Sequence, residues 1–150
     1  MDQPTVDPRT FLGDLDRQDL EKAIGEAELR TSGEIRIHIE RTCDDPLHRG
    51  MEVFEALGMA ATQERNGVLF FLAVESRKFA ILGDEGINNN VPAGFWDGIK
   101  EMMIREFVQG RFKEGLKQGV LAAGEQLATY FPAKPGDKNE LPDTISFGDQ

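Results

Sequence analysis

The sequence predicts one α/β domain over about residues 10 to 132, with a mixed sheet and helices on both faces. The first observation is the apolar run Val68–Val74, which is typical of a strand buried on both sides. The second is the order of the predicted elements, namely helix, strand, helix, strand, strand, helix, helix. The third is the length of 150 residues, which suffices for one domain with a substantial core.

The first helix and the first strand occupy the N-terminal third of the chain. Apolar residues recur at helical spacing between Asp14 and Arg30, and Gly33 suits the position just after a helix end. The segment Glu34–Glu40 then alternates strictly between isoleucine and polar side chains. We therefore expect a half-solvated strand near a sheet edge. His38, on the polar face of this strand, is predicted to be a solvated surface residue.

The second helix is predicted over about residues 46 to 57. Asp45 is a favourable N-cap residue, and Pro46 fits the first helical position. The spacing of the apolar residues predicts a buried stripe formed by Leu47, Met51, Phe54 and Leu57.

The apolar run Val68–Val74 is predicted to be the central strand and to start a hairpin. It follows the turn dipeptide Asn66-Gly67, and a short polar connection leads to a second apolar segment, Phe79–Leu82. These two strands should be antiparallel. Because a helix connects Glu34–Glu40 to the central strand, that pair should be parallel with a right-handed crossover.

The C-terminal half is predicted to hold two helices, over about residues 92 to 108 and 112 to 130. Gly115, Gly119 and Gly124 weaken the second of these as an isolated helix, which favours close approach to a neighbouring element. Residues 1–13 are interpreted as an extended arm, because Pro4 and Pro8 disfavour helix. Residues 133–150 are interpreted as a flexible acidic tail.

Composition excludes several classes of function. The chain has 27 acidic and 17 basic residues, a net charge of −10, which argues against nucleic-acid binding. The single cysteine, Cys43, excludes an intramolecular disulfide framework and is expected to be a partly buried neutral thiol. No signal-like segment is visible, and no apolar run approaches the roughly 20 residues of a membrane span. We therefore expect a cytoplasmic protein with no membrane span.

One end of the predicted sheet gathers acidic residues. With the predicted strand directions, Glu34, Asp84 and Glu85 converge there, and Arg65 and Asn66 lie beside them. Converging carboxylates repel one another, and a hard cation such as Ca²⁺ or Mg²⁺ relieves that repulsion. The alternative is that Arg65 neutralises Glu34 or Asp84, so that the cluster only ties loops together. No phosphate loop, dinucleotide fingerprint, zinc spacing or nucleophile elbow is present, so the catalytic residues are unknown at this point.

The same segments carry a family resemblance. The stretches TSGEIRIHIE and MAATQERNGVLFFLAVESRKFAILGDEGI, followed by a tryptophan, the pattern F…GRF…GL and the pair FP, resemble the TPM domain family over about residues 15–132. The resemblance implies a three-layer α/β/α sandwich of Rossmann-like appearance, with a mixed, mostly parallel sheet. It also implies a phosphatase label and divalent-metal binding by some members. On matching positions it points to Glu34, Arg65, Asn66, Asp84 and Trp96.

Three functional hypotheses follow from the residues and the resemblance together. The first is an accessory or interaction module that binds a divalent cation through Glu34, Asp84 and Glu85. The second is a weak metal-assisted phosphomonoesterase, for which the sequence offers no recognised nucleophile. The third is a purely structural domain that binds a protein partner of unknown identity.

Overall fold

The computed structural model describes residues 8–135 and 143–148, and predictions for the other residues lie outside this part of the chain. Four strands form one mixed sheet in the order β3-β2-β1-β4. The strands are β1 (Glu34–Glu40), β2 (Gly67–Ala73), β3 (Lys78–Gly83) and β4 (Ser146–Phe147). The helices are α1 (Pro8–Phe11), α2 (Asp14–Glu28), α3 (Pro46–Ala56), α4 (Glu85–Asn88), α5 (Asp97–Phe107) and α6 (Phe112–Leu127).

The predicted pairing of the three long strands is confirmed. Strands β1 and β2 are parallel from Glu34 opposite Gly67 to Glu40 opposite Ala73. Strands β2 and β3 form the predicted antiparallel hairpin. Every residue of β2 is buried, as its uninterrupted apolar sequence predicts.

Helices cover both faces of the sheet and produce the predicted three layers. One core joins α2, α5 and α6 to the isoleucines of β1 and to Val68, Phe70 and Leu72 of β2. A smaller core joins Val53 and Phe54 of α3 to the alternate side chains of β2 and β3. None of the described helices is long and apolar enough to cross a membrane.

The prediction that β1 is half-solvated is wrong, whereas its predicted position near a sheet edge agrees with the strand order. It lies between β2 and β4, and all of its residues except Arg36 are buried. The polar face is covered because its side chains find partners inside the protein: His38 and Glu40 contact each other and also contact Ser146 and Arg49, respectively. Alternation of apolar and polar residues therefore indicates that the two faces of a strand differ chemically. It does not show that the polar face is exposed to solvent.

The second predicted helix has the expected start but a different buried face. The Asp45 side chain caps α3 by accepting bonds from the amides of Leu47 and His48, at 3.0 and 3.3 Å. However, Leu47 is 56% exposed and Met51 is 60% exposed, so the predicted stripe is wrong at these positions. The helix instead turns Gly50 toward the sheet, where an added Cβ would lie 2.6 Å from a methyl group of Leu82. A small residue permits this close approach and sets which face is buried.

The ends of other elements also differ from the predictions. Helix α5 begins at Asp97 and not near Pro92, because Gly94 adopts a positive φ of 79° in a preceding turn. Residues 8–11 form the short helix α1 with Pro8 in its first position, where the missing N–H costs no hydrogen bond. Within the predicted tail, Ile145 is buried and Ser146 and Phe147 pair with β1 in parallel. These residues are therefore part of the folded domain.

Candidate functional site

The predicted site lies at the sheet end where β1 and β2 begin and β3 ends. Glu34 pairs with Gly67 across the parallel strands, and the Asp84 amide donates to the Gly67 carbonyl oxygen at 2.9 Å. Arg65 and Asn66 directly precede β2, and Glu85 begins α4 after Asp84. The strand directions therefore bring these residues to one end of the sheet.

Asp84 is paired with Arg65 in a two-pronged contact. The guanidinium Nε and Nη2 donate to the two carboxylate oxygens at 2.8 and 3.0 Å, and the Glu85 amide donates to the same carboxylate at 2.8 Å. The Asp84 hydrogen bond raises the pKa of Arg65. A second carboxylate, that of Glu85, lies 3.6 Å from the guanidinium and is 66% exposed. Arg65 thus takes the role of internal counter-ion that the alternative interpretation describes.

Glu34 lies at the same sheet end but is separated from Asp84. The two residues flank Gly67, and a Cβ added to Gly67 would lie 2.9 Å from the Met59 carbonyl oxygen. The Met59 backbone therefore packs directly over Gly67 of β2, the strand that lies between β1 with Glu34 and β3, which ends before Asp84. Within residues 8–135 and 143–148, no group of three acidic, histidine or cysteine side chains is placed to hold a metal ion. Glu34, Asp84 and Glu85 do not form one ligand set.

Glu34 belongs instead to an acidic group with Glu28 and Asp143. Burial, together with a hydrogen bond to Asp143, raises the pKa of Glu28 to about 10, and the nearby charge of Glu34 adds to the shift. One oxygen of Glu28 accepts a bond from the Ile35 amide at 3.0 Å. Glu28 is therefore protonated at neutral pH, which limits the repulsion among the three carboxyl groups.

Asn66 organises the loop beside Arg65. Its side-chain amide donates to Ser32 and to Glu64, both at 3.3 Å, and its backbone amide donates to the Thr62 hydroxyl. Hydrogen bonds from Ser32 and from Lys134 lower the pKa of Glu64. These contacts fix the turn that presents Arg65, whose φ of 50° is in the left-handed region.

Trp96 lies apart from this network. It packs edge-to-face against Phe95, with ring centroids 4.8 Å apart. It lines a neighbouring cleft of about 390 Å³ that also contains Asn88 and Lys100 but none of the other predicted site residues.

The polar face of β1 carries a second group of hydrogen-bonded polar side chains, which sequence reasoning missed. His38 is 4% exposed, so the prediction that it is a solvated surface residue is wrong. Its Nε2 lies 3.0 Å from a Glu40 oxygen, and its Nδ1 lies 2.7 Å from the Ser146 hydroxyl. Arg49 holds Glu40 from the other side, with Nε 2.9 and 3.0 Å from the two oxygens. The spacing of His38 and Glu40 was visible in the sequence, but Ser146 and Arg49 are brought in only by the fold.

A polar cleft of about 570 Å³ opens where β1 ends, lined by Glu40, Cys43 and Arg49 among others. Burial raises the pKa of the Cys43 thiol, and the partly buried side chain is neutral at pH 7, as predicted. The carboxyl end of a parallel strand is a common place for ligands in α/β proteins.

Comparisons with known proteins give the family. The model of the TPM domain matches residues 5–126. The chain belongs to the TPM domain family. The resemblance of the sequence motifs to this family is thereby confirmed, and no curated protein matches this TPM domain.

Solved structures share the fold. The BA42 protein of the psychrophilic bacterium Bizionia argentinensis is 47% identical, with a TM-score of 0.88, over 92% of this chain and 96% of that one. The N-terminal domain of a P. gingivalis protein is 23% identical, with a TM-score of 0.65, over 83% of this chain and 82% of that one. The N-terminal domain of cg2496 protein from Corynebacterium glutamicum is 14% identical, with a TM-score of 0.60, over 100% of this chain and 94% of that one. The last two establish likeness of fold alone.

Proposed function

We propose that this TPM domain is an accessory interaction module that binds Ca²⁺ or Mg²⁺ at the edge formed by Asp84 and Glu85. The observation that carries the proposal is the state of Arg65, which neutralises the buried carboxylate of Asp84 while remaining 43% exposed itself. An exposed guanidinium can move into solvent without being left unsolvated. Cation binding is then an exchange in which the metal replaces Arg65 beside Asp84.

The donor atoms at this edge suit a hard cation. Glu85 extends its carboxylate into solvent next to Asp84. The carbonyl oxygens of Glu64 and Arg65 lie close to Gly86, the residue after Glu85, and the Arg65 oxygen accepts a bond from the Gly86 amide at 2.9 Å. Calcium binds carboxylate and backbone carbonyl oxygens, and the chain's net charge of −10 favours cations near its surface.

The test is a thermal melt with millimolar Ca²⁺ or Mg²⁺ at constant ionic strength. A cation that binds only the folded state raises the free energy of unfolding by about 2.7 kcal/mol when its concentration is a hundredfold above Kd. We therefore expect the melting temperature to rise by several degrees. Asp84→Asn should reduce this shift because it removes a ligand. Arg65→Gln should enlarge the shift because it removes the competing counter-ion.

Glu55→Gln is the matched control, since it removes one exposed negative charge from α3, a helix that carries none of Arg65, Asp84 and Glu85. The cation should raise the melting temperature of this variant by the same amount as that of the wild type. A melting curve that cation leaves unchanged in the wild type and in Arg65→Gln would refute the cation proposal. In that case Arg65 would be a permanent counter-ion, and the purely structural, partner-binding function would be favoured.

A weak metal-assisted phosphatase activity is the alternative, and its support is the family resemblance. Its test is p-nitrophenyl phosphate turnover with and without a chelator, compared with the double variant Glu34→Gln, Asp84→Asn. Turnover that is lost on chelation and in the double variant would support the alternative. Turnover unchanged in the double variant would assign the activity to another site or to a contaminant.

A further inference from the structure

We infer that Ser146, His38 and Glu40 form a nucleophile relay that acts on carboxylic esters. The three side chains are aligned in the order hydroxyl, imidazole, carboxylate, with contacts of 2.7 and 3.0 Å. Ser146 lies beside His38 in the β1–β4 register, so both side chains emerge on the same face of the sheet. Ser146 also lies beyond residue 126, where the match to the family model ends.

The protonation of the relay follows from its contacts. Arg49 donates to both oxygens of Glu40, and hydrogen bonds from Arg49 and His38 outweigh the effect of burial to lower the pKa of Glu40. An ionised Glu40 requires a proton on the Nε2 of His38, because a nitrogen lone pair facing the carboxylate would be repelled. Burial lowers the pKa of His38, so the ring is neutral and its Nδ1 carries a lone pair.

The Ser146 hydroxyl therefore donates its proton to the Nδ1 of His38. The competing acceptor, the Ile37 carbonyl oxygen, lies at 3.4 Å, compared with 2.7 Å for Nδ1. The shorter contact is the better hydrogen bond. This arrangement of hydroxyl, general base and orienting carboxylate has the roles of a serine hydrolase triad, with the two ring nitrogens exchanged.

Exposure along the relay suits a nucleophile. Glu40 and His38 are 1% and 4% exposed, whereas Ser146 is partly exposed. The base and its orienting carboxylate are thus shielded from water, and Ser146 is the member of the relay that has solvent-accessible surface. Phe71 stacks on the imidazole, with ring centroids 5.9 Å apart and an interplanar angle of 14°, which helps to fix the ring orientation.

Arg36 supplies positive charge on the same face. It lies two residues before His38 on β1, a separation of roughly 6–7 Å along a strand. Its Nε is buried and has no hydrogen-bond partner within the part of the chain that the structure describes. An unused guanidinium N–H in a partly desolvated position suits the negative charge that develops on an ester oxygen during attack.

The reaction has two steps that use the same base. Ser146 Oγ bonds to the carbonyl carbon of an ester while its proton passes to His38 Nδ1, and the imidazolium then returns that proton to the departing alcohol. Water next attacks the acyl-serine with His38 as base, and the acid is released with Ser146 restored. Water is the only reactant needed besides the ester, and the substrate class is a small carboxylic ester with an accessible carbonyl group.

Labelling with a fluorophosphonate probe tests the inference. The Ser146 oxygen displaces fluoride from phosphorus, and mass spectrometry of the C-terminal tryptic peptide, residues 139–150, locates the label because Ser146 is its only serine. We expect labelling of this peptide in the wild type and none in Ser146→Ala. His38→Gln should slow labelling by about 100-fold or more, since general-base catalysis is removed. Arg36→Gln should slow turnover of p-nitrophenyl acetate.

Ser76→Ala is the control, because Ser76 bonds the Cys43 amide and takes no part in the relay. In this variant the probe should label Ser146, and p-nitrophenyl acetate should be turned over, at the same rates as in the wild type. A wild type without label on Ser146, or a folded His38→Gln protein with an unchanged labelling rate, would overturn the inference. If His38→Gln fails to fold, the wild-type pH profile decides: the labelling rate should rise with pH through an apparent pKa below the usual 6.5 of histidine, and a flat profile contradicts the relay.

Discussion

At the scale of single residues, two carboxyl groups of this domain, those of Glu40 and Glu28, are held in opposite protonation states by their neighbours. Glu40 has an arginine on one side and an imidazole N–H on the other, and its pKa is lowered despite its burial. Glu28 meets Asp143 and Glu34 in place of a cation, and burial raises its pKa to about 10. Desolvation raises the pKa of both groups, and the nearest charges decide which of them is a carboxylate and which a carboxylic acid.

Glu28→Gln is predicted to stabilise the protein above about pH 5. Glu28 is protonated in the folded state, whereas its ordinary pKa is 4.5, so folding takes up a proton at pH values between 4.5 and about 10. This contribution to stability is present below pH 4.5 and is lost as pH rises, by up to about 1.4 kcal/mol per pH unit. Glutamine keeps an acceptor for the Ile35 amide and a donor for Asp143 without requiring a proton.

Urea unfolding of both proteins at several pH values between 4 and 9 measures the effect. The advantage of Glu28→Gln should grow with pH. Glu26→Gln, at an exposed position of the same helix, should follow the wild-type curve. Parallel pH dependences of Glu28→Gln and the wild type would show that Glu28 is ionised in the folded protein.

At the scale of elements, the contact between α2 and α6 depends on a glycine. A Cβ added to Gly124 would lie 2.7 Å from the Ala27 Cβ and 2.9 Å from its Cα. Because the second of these atoms belongs to the α2 backbone, the clash cannot be relieved by rotating a side chain. Closely packed small residues therefore set the separation of the two helices.

Gly124→Ala is predicted to destabilise the fold by about 1 kcal/mol or more. Overpacking of a tight contact costs about 1–3 kcal/mol and outweighs the gain of up to about 1 kcal/mol from the higher helix propensity of alanine. Gly98→Ala in α5 is the matched control, because an added Cβ there meets nothing within 4 Å. Chemical denaturation should show loss of stability for Gly124→Ala and a neutral or stabilising effect for Gly98→Ala. Equal effects of the two substitutions on stability would mean that α2 and α6 can move apart without cost, which would contradict the prediction.

At the scale of the whole molecule, the C-terminal segment completes the sheet and the main core. Ile145 is 7% exposed within that core, and its amide donates to Glu21 of α2 at 3.1 Å. The Gly148 amide donates to the Ile39 carbonyl oxygen of β1 at 2.9 Å. Arg17 of α2 lies over the Phe147 ring, 5.8 Å from its centroid. Residues 143–148 thus connect α2 to the open side of β1.

Truncation after residue 135 is predicted to lower the free energy of unfolding by more than about 1.5–3 kcal/mol, the value of burying one isoleucine side chain. The loss of β4 also exposes the edge of β1 and removes Asp143 from Glu28. Truncation after residue 148 is the control and should leave stability unchanged, since it removes only residues 149 and 150. Equal melting temperatures for the two truncated proteins would contradict a structural role of the segment.

Much of the fold and part of the site were predictable from local sequence. The turn Asn66-Gly67 and the apolar residues after it predicted the central strand, and Asp45-Pro46 predicted the start of α3. The gathering of Arg65 and Asp84 at one sheet end followed from strand direction alone. The buried faces of β1 and α3 were not predictable, because the covering of His38 and the close approach at Gly50 depend on residues distant in the chain.

The sequence by itself determined the family, the order of the main helices and strands, and the pairing of β1, β2 and β3. These features depend on short-range patterns and on chain connectivity, which a single stretch of residues carries. Only the tertiary structure decided which polar groups meet. Asp84 pairs with Arg65, strand β2 lies between it and Glu34, and Ser146 contacts His38 from 108 residues away. Such contacts depend on packing at the level of single ångströms, because hydrogen bonds form only within a narrow range of distance and angle.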